Sequence, residues 1–525
     1  MRVAIVGGGA GGLLCARLLA RQHPDWTIRL YERLPPQKTF GFGVGLTGAL
    51  LSGLRAVDPV VHDALIDVGH RSSLVRFRMP GETLDLGRFS DGVAIGRTVL
   101  LRVLLDLAQE AGVDVQVGHA QSAVDLARDA DLVVGADGVS SSTRDAFGHV
   151  LNPTSELGRG LLIWCGSSVR LRGTTFMPVE TEHGRLVAHA YPYAADRSTV
   201  VIETDTDAWA AAGMASSGAL DPLSGESDQM SLEYLSTTFE GLLEGHPLLG
   251  NKSRWGHFRT VRCARWSAGN VVLIGDAAAT AHPTLGSGTK LAMDSAMTLV
   301  SALEGTSGGL VDLHDRLEGF EAARRPAVER LQDRARRSQL WWESVGARLH
   351  LSPARFAAAF MSRAGAVSLE DLAGSEPDVT ARAVADYADV PRDAVPARYL
   401  VDWVLQRPLI APGGSFSSRR YNWDDPDRPR VAIEISVERG ADPWGQRGDA
   451  AVLRTRALGS TPAGVVLLAG ADDRDSVLDR LALGDRLRSE TSALVMASVR
   501  PELLDDAAIA LVSGRIDLAL TGARS

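Results

Sequence analysis

MRVAIVGGGAGGLLCARLLARQHPDWTIRLYE, residues 1–32, opens the chain. A short β-prone run leads straight into Gly7, Gly9 and Gly12, and the glycines lead into an amphipathic LLCARLLARQ. This pattern predicts a strand, a G-x-G-x-x-G turn and a helix. In such a unit Gly7 permits the tight turn, Gly9 lets a pyrophosphate approach the backbone, and Gly12 lets helix and strand pack closely. Ala10 and Gly11 belong to the first helical turn, whose N–H groups and partial positive charge suit phosphate. A second strand, WTIRLYE, ends in Glu32, followed by Arg33. A carboxylate at that place accepts hydrogen bonds from ribose hydroxyls. A Gly-rich turn alone implies only a turn; strand, turn, helix and acid together imply a dinucleotide.

Downstream, LPPQKTFGFGVGLTGALLSGLRAVDP (34–59) reads as a Gly- and Pro-rich loop and then a helix. Gly41, Gly43 and Gly45 either border a flat cofactor ring or simply allow a tight path. The alternation in SLVRFRMPGETLDL predicts a hairpin around Pro80-Gly81. A helix begins just after Arg97 and closes at Gly112. A cation at a helix start opposes the dipole, so Arg97 either serves a ligand or is a solvated surface residue. The apolar strand DLVVGA then ends in Asp137-Gly138, at the strand end where α/β folds bind ligands. Asp137, Ser140 and Ser141 can equally form a turn and N-cap.

Between Leu161 and Glu203, LLIWCGSSVRL, GRLVAHAYPYA and STVVIETDT are strands without intervening helices, which predicts an inserted antiparallel sheet. Trp164, His189, Tyr191 and Tyr193 on these strands either line a substrate cavity or fill the core. A helical, loop-rich segment from Asp207 to Gly250 follows. A second strand-to-helix junction lies in NVVLIGDAAATAHPTLGSGTKLAMDSAM. Asp276 ends its strand and can receive hydrogen bonds from sugar or ribityl hydroxyls. The N–H groups from Gly286 through Gly288 to Thr289 point at an anion over the helix start. The sequence thus offers two junctions suited to opposite ends of one dinucleotide.

Composition is that of an ordinary globular protein, 45% hydrophobic and 23% charged. The net charge of −9 argues against general nucleic-acid binding. Cys15, Cys165 and Cys263 form no C-x-x-C pair, so neither a disulfide framework nor a metal site is expected, and a reducing cytoplasm fits. The N-terminal apolar residues belong to the nucleotide unit rather than a signal peptide, and no apolar run is long enough to cross a membrane.

Three ordered motifs, GGGAGG with Glu32, DGVSSSTR (Asp137–Arg144) and GDAAATAHPTLGSG (Gly275–Gly288), resemble the FAD-dependent aromatic hydroxylases related to para-hydroxybenzoate hydroxylase. The resemblance covers about residues 1–370. TFGFGVGL, LLIWCG, HAYPY, GSGTKLAMDSA and LHLSPARFAAAF are similar to the branch of salicylyl-CoA and 2-aminobenzoyl-CoA hydroxylases and the violacein hydroxylases. The resemblance implies an α/β fold with a Rossmann-like FAD-binding domain (1–155 and 255–330) and an antiparallel-sheet substrate domain (156–254), followed by a helical bridge (331–397); strands near VAIEISV, AGVVLLAG, SALVMASV and RIDLALTGA alternating with helices predict a small C-terminal α/β domain (398–525). The resemblance implies that Gly7, Gly9 and Gly12 hold the pyrophosphate, Glu32 the adenosine ribose, Arg97 the phosphate and ribityl region, and Asp276 the ribityl side. Asp137 and Arg144 would serve both FAD and NAD(P)H, and the loop from Pro283 to Gly288 would border the flavin ring. The family often has His after GDAA; here Ala279 stands there and His282 follows three residues later.

The implied reaction has NAD(P)H reduce FAD, O₂ add at the flavin C4a, and the hydroperoxide pass an electrophilic oxygen to an activated ring. His282 and His189 are the candidate bases, with Pro283 beside the flavin. The expected substrate is an aromatic acid as a CoA or carrier-protein thioester. Alternatives are an indole or tryptophan-derived metabolite and a catalytically silent flavin-binding partner protein. Halogenation is disfavoured because no W-x-W-x-I-P element is present. In the tail, the helix FEAARRPAVERLQDRARRSQLWWESVGARLHL either bridges domains or offers Arg324 and Arg325 to an anionic substrate handle. The last ~125 residues resemble the end of the old-yellow-enzyme-like barrel fused to some CoA-ester hydroxylases; being too few for a (β/α)₈ barrel, they are expected to be a truncated remnant without its own FMN, serving packing or homodimerisation, with the thioredoxin-like tail of other aromatic hydroxylases as the alternative.

Overall fold

A computed structural model describes residues 1–35, 39, 41–72, 74–87, 91–217, 225–306, 309–411, 414–458 and 465–522. Positions 36–38 and 40 of the expected glycine-rich loop, 218–224 of the expected helical, loop-rich segment, and 463–464 and 523 of two expected C-terminal strands lie outside the described residues. The chain divides into two compact units, Met1–Arg78 with Arg88–Gln339, and Met79–Gly87 with Leu340–Ser525.

In the first unit the opening motif forms strand Arg2–Val6, helix Ala10–Gln22 and strand Thr27–Glu32. Arg2–Val6 lies inside a six-stranded sheet ordered Ser267–Ala268, Val271–Leu273, Leu132–Gly135, Arg2–Val6, Thr27–Glu32, Asp114–Val117. Every pairing but the first is parallel. Parallel strands covered on both faces read as continuous apolar runs, and Val3 to Val6 and Leu132 to Gly135 are buried accordingly. Helix Ala10–Gln22 packs Leu13, Leu14, Leu18 and Leu19 into one core with Leu30, Met293, Leu299 and Phe320.

The second sheet of this unit is largely antiparallel. Pro153–Ser167, Arg197–Thr204, Gly184–Ala194 and Thr174–Thr181 are neighbours in that order, and Gly256–Cys263 pairs back onto Pro153–Ser167. One face carries Leu161, Ile163, Cys165, Leu186, Ala188, Ala190, Val200 and Ile202 against Trp209, Leu232, Leu235 and Phe239. The other face carries the alternate residues. Helix Leu310–Glu343 begins ten residues before the stretch that sequence periodicity marked and runs through Pro326. An interior proline costs about 3 kcal/mol; Phe320 on one side and Val328 and Ala335 on the other, all buried, hold the helix together.

The second unit holds five parallel strands ordered Arg420–Asn422, Leu518–Thr521, Leu494–Ser498, Val465–Ala469, Val431–Ser436. The last four are wound consecutively through helices Gln446–Arg456, Arg474–Glu490 and Leu504–Val512. One face is closed by the unit's own Leu409 and Tyr421 against Val465, Leu467, Met496, Leu518 and Leu520. No helix among the described residues is long and apolar enough to cross a membrane.

Candidate active site

The three glycines of the first junction do different work. Gly7, at φ +109°, would put a Cβ 2.3 Å from the Ala136 carbonyl oxygen, and Gly12 would put one 2.0 Å from the Gly7 oxygen. Both keep strand, helix and the neighbouring strand end together. Gly9 is different: a Cβ there would meet nothing within 4 Å. It is the N-cap of its helix and has no side-chain cap, so the helix start opens onto free space. Glu32 stands alongside, one carboxylate oxygen accepting from the Gly8 N–H at 2.6 Å and the other from Leu34 N–H at 2.8 Å. These bonds fix the carboxylate and leave each oxygen a lone pair. Arg33 is exposed.

The second junction sits beside the first. Gly11 approaches helix Gly288–Ala302 so closely that a Cβ would lie 3.0 Å from the Ala292 oxygen. The two helices therefore run packed together from near their N-termini. Gly286 adopts φ +61°, and neither it nor Gly288 would place a Cβ within 4 Å of anything. Ser287, at the cap, is buried and its hydroxyl finds no partner among the described residues. Asp276 keeps part of its surface open while protein surrounds it; burial pushes its carboxyl up to about 6, against the opposing pull of Arg97. Arg97 likewise has exposed surface, yet burial lowers its guanidinium, with Asp276 and Tyr191 acting the other way. Both groups keep some exposed surface while burial penalises their charged forms.

The glycine-rich loop is tied to the antiparallel sheet. Gly43 N–H donates to Thr199 Oγ1 at 2.8 Å, and Tyr191 Oη donates to the Gly43 carbonyl at 2.8 Å. Tyr193 packs on Gly43, where a Cβ would come within 2.4 Å of it, and on Gly96. Asn251 Nδ2 donates to the carbonyls of Thr39 and Gly41 at 3.1 and 2.9 Å. Arg97 N–H donates to Phe42 O, and its Nε to Thr39 Oγ1. Burial raises the Tyr191 phenol to about 12.

Other residues do something else. Asp137 accepts from Ser141 Oγ at 2.5 Å, Ser142 Oγ at 3.3 Å and Thr143 N–H at 2.9 Å, so the turn-and-cap reading is the one its contacts fill. Arg144 spans from Val139 O to Ala277 O, linking this turn to the loop after Asp276. Arg324 bonds Ser295, Leu291 O and Asp294, and Arg325 bonds Glu321 and Ala264 O. Both are occupied within the helix packing rather than offered to an anionic handle. His282 is buried edge-on to Phe258 beside Thr284, and burial lowers its imidazole to about 3. At neutral pH it is uncharged and a weak proton acceptor. Pro283 follows it as the first residue of a short 3₁₀ turn, Pro283–Leu285. Trp164 and His189 lie on the face of the antiparallel sheet opposite the Ile163 and Ala188 core. Among the described residues no cluster could hold a metal.

Residues 105–335 match the family model of an FAD binding domain. The chain is 39% identical over 378 residues to a salicyloyl-CoA 5-hydroxylase of a Streptomyces species, spanning 71% of this chain and 72% of that one. It belongs to the FAD-dependent aromatic monooxygenases. A second relative, 38% identical, is 3-hydroxy-4-methyl-anthranilyl-[aryl-carrier protein] 5-monooxygenase of Streptosporangium sibiricum, with 71% of this chain covering 97% of it. The solved structure of 2-methyl-3-hydroxypyridine-5-carboxylic acid oxygenase shares the fold of this monooxygenase family at TM-score 0.53 and 21% identity, over 69% of this chain and 95% of that one. The site's features fit FAD: open space at Gly9, Gly286 and Gly288, the orphaned Ser287 hydroxyl, and the Asp276 carboxyl and Arg97 guanidinium, whose charged forms burial penalises.

Proposed function

We propose that this monooxygenase hydroxylates the ring of an aromatic acid carried as a thioester on CoA or a carrier protein, salicyloyl-CoA being the first candidate, with NAD(P)H and O₂ as co-substrates. One observation carries the reading: two relatives near 40% identity bear different carriers in their names, and both names specify an aromatic acyl group joined to that carrier. When bound, FAD supplies two-electron uptake from NAD(P)H and the activation of O₂.

The rest falls to this chain's residues. We assign the N–H groups over Gly9 and Gly288 to the cofactor's phosphates, Glu32 to the adenosine ribose, and Asp276 with Arg97 to the ribityl and phosphate region. Tyr191 and Tyr193 hold the Gly43 loop where the flavin ring would emerge. Trp164, Phe176 and Val201 form an apolar ceiling that excludes water from the reacting atoms. Of the two histidines, His189 is assigned as base, because burial leaves His282 too weakly basic. A cytoplasmic location and a homodimer complete the proposal; light scattering tests the dimer.

The decisive comparison is salicyloyl-CoA against free salicylate. The thioester should stimulate NAD(P)H oxidation and yield ring-hydroxylated product, and the acid should do so weakly. Equal turnover of both would remove the thioester from the account. No stimulation by any aromatic acyl compound would favour a silent flavin-binding protein.

A further inference from the structure

Strand register across the antiparallel sheet sets three rows of side chains on the face opposite the helix-covered core. Directly paired residues of antiparallel strands share a face. Phe176 pairs with His189, His189 with Val201, and Val201 with Trp164, giving a middle row over four strands. On one side lies the row Tyr191, Thr199 and Gly166, whose first two members hold Gly43 at the cofactor end. On the other lies Val187, Glu203 and Leu162. Glu203 is thus the diagonal neighbour of His189, and its Oε1 lies 3.7 Å from His189 Nε2. Both side chains are nearly buried, at 14% and 11% exposure. Around them are Phe176, edge-on to the imidazole at 5.2 Å, and Val201 and Trp164. The titratable groups in these rows are His189, Glu203 and Tyr191.

An imidazole and a carboxylate on the sheet face that also carries Tyr191 and Thr199, which bond Gly43, need a reason, because polar groups buried there cost free energy unless they serve one another or a ligand. We propose that Glu203 is a positioning residue that orients His189 and stabilises its imidazolium, so that His189 takes the proton of the substrate's ring hydroxyl before oxygen transfer. The inference rests on the proposed substrate class. In the step, the ring O–H bond breaks and its electron pair stays on oxygen, conjugating into the ring and raising its nucleophilicity. The proton forms a new N–H bond on His189, and Glu203 balances the charge. Once the ring carbon has gained oxygen and lost its own hydrogen as a proton, which ends on the second O₂ oxygen as it leaves as water, the ring is aromatic again, the imidazolium returns its proton to the substrate's ring oxygen, and the pair is restored. The oxidant is the proposed O₂, and its second oxygen atom leaves as water with the two electrons that the proposed NAD(P)H supplies.

The test uses the FAD-loaded full chain and salicyloyl-CoA, whose phenolate absorbs at longer wavelength than its phenol. Difference spectra of the bound thioester across pH read its ionisation directly. In the wild type the bound phenol should ionise at lower pH than in solution. His189→Gln should abolish that shift and lower kcat on the order of a hundredfold. Glu203→Gln should lose part of the shift, and Glu203→Asp should restore some of it, with FAD content unchanged in all three. Ionisation of the bound phenol that is the same in wild type, His189→Gln and Glu203→Gln would overturn the inference while leaving the proposed hydroxylation standing. A wild type that neither binds nor hydroxylates the thioester would instead remove the substrate reading, and the inference with it.

Discussion

Gly9→Ala adds one methyl group at the start of the first helix, where an ideal Cβ meets nothing within 4 Å. The backbone there, at φ −72° and ψ 175°, suits any L residue. Within the protein the methyl costs nothing, and by narrowing the unfolded ensemble it should leave the apoprotein as stable as wild type or better by about 0.4–1 kcal/mol. Its effect falls on the cofactor, because the methyl would occupy the space assigned to the pyrophosphate. Losing one or two charge-assisted hydrogen bonds at about 1.5–3 kcal/mol each, discounted for partial relaxation, gives about 2–4 kcal/mol. That is roughly a 30- to 1,000-fold rise in Kd for FAD. Gly12→Ala is the contrast: its Cβ would sit 2.0 Å from the Gly7 carbonyl oxygen, so the chain should fail to fold rather than merely fail to bind. Thermal melts of each apoprotein and titration with FAD by flavin fluorescence separate the cases. Gly9→Ala protein that binds FAD like wild type would refute the placement of the phosphates, and unfolded Gly9→Ala apoprotein would refute the packing argument.

Asp276→Asn tests the site by pH. The folded carboxyl titrates at about 6, above its ordinary value of about 4, so the folded apoprotein binds the extra proton between the two. Stability from this group is full below about pH 4 and is lost as pH rises to about 6. Relative to wild type, the Asn apoprotein should therefore gain stability across that window and hold a constant advantage above it, while retaining less FAD; a pH-independent difference in melting would contradict this. Asp58→Ala tests the frame under the first helix. Asp58 is fully buried and takes Arg17 Nε at 2.7 Å and Arg21 Nη1 at 2.6 Å, so its removal strands the buried Arg17 and should cost about 3–5 kcal/mol in denaturant melts. A loss below about 1 kcal/mol would show Arg17 finding another partner.

The two junctions were legible because everything they need is local. Strand, glycine spacing, helix and acid fall within 32 residues, and GDAAATAHPTLGSG repeats the logic on its own. Successive β-prone runs with no helix between them likewise marked the strands that carry Trp164, His189 and Tyr191. The partners of those residues were not legible. Glu203 reaches His189 only through the register that pairs Val201 with His189, and one residue of slip would turn it to the opposite face. Asn251 clasps a loop 212 residues away in sequence, and Thr199 meets Gly43 across 156. Asp137 looked the same in sequence whether it served a ligand or a turn; the three donors around its carboxylate come from the turn and helix start that follow it. Arg324 and Arg325 showed charge without its destination, which lies within and beside their own helix.

The most direct test supplies the purified chain with FAD, NADPH, isotopically labelled O₂ and salicyloyl-CoA, and reads the acyl product by mass spectrometry. The expected result is one labelled oxygen on the aromatic ring, formed in step with thioester-stimulated NADPH oxidation. An acyl group recovered unchanged from protein whose bound FAD is reduced and reoxidised normally would contradict the account.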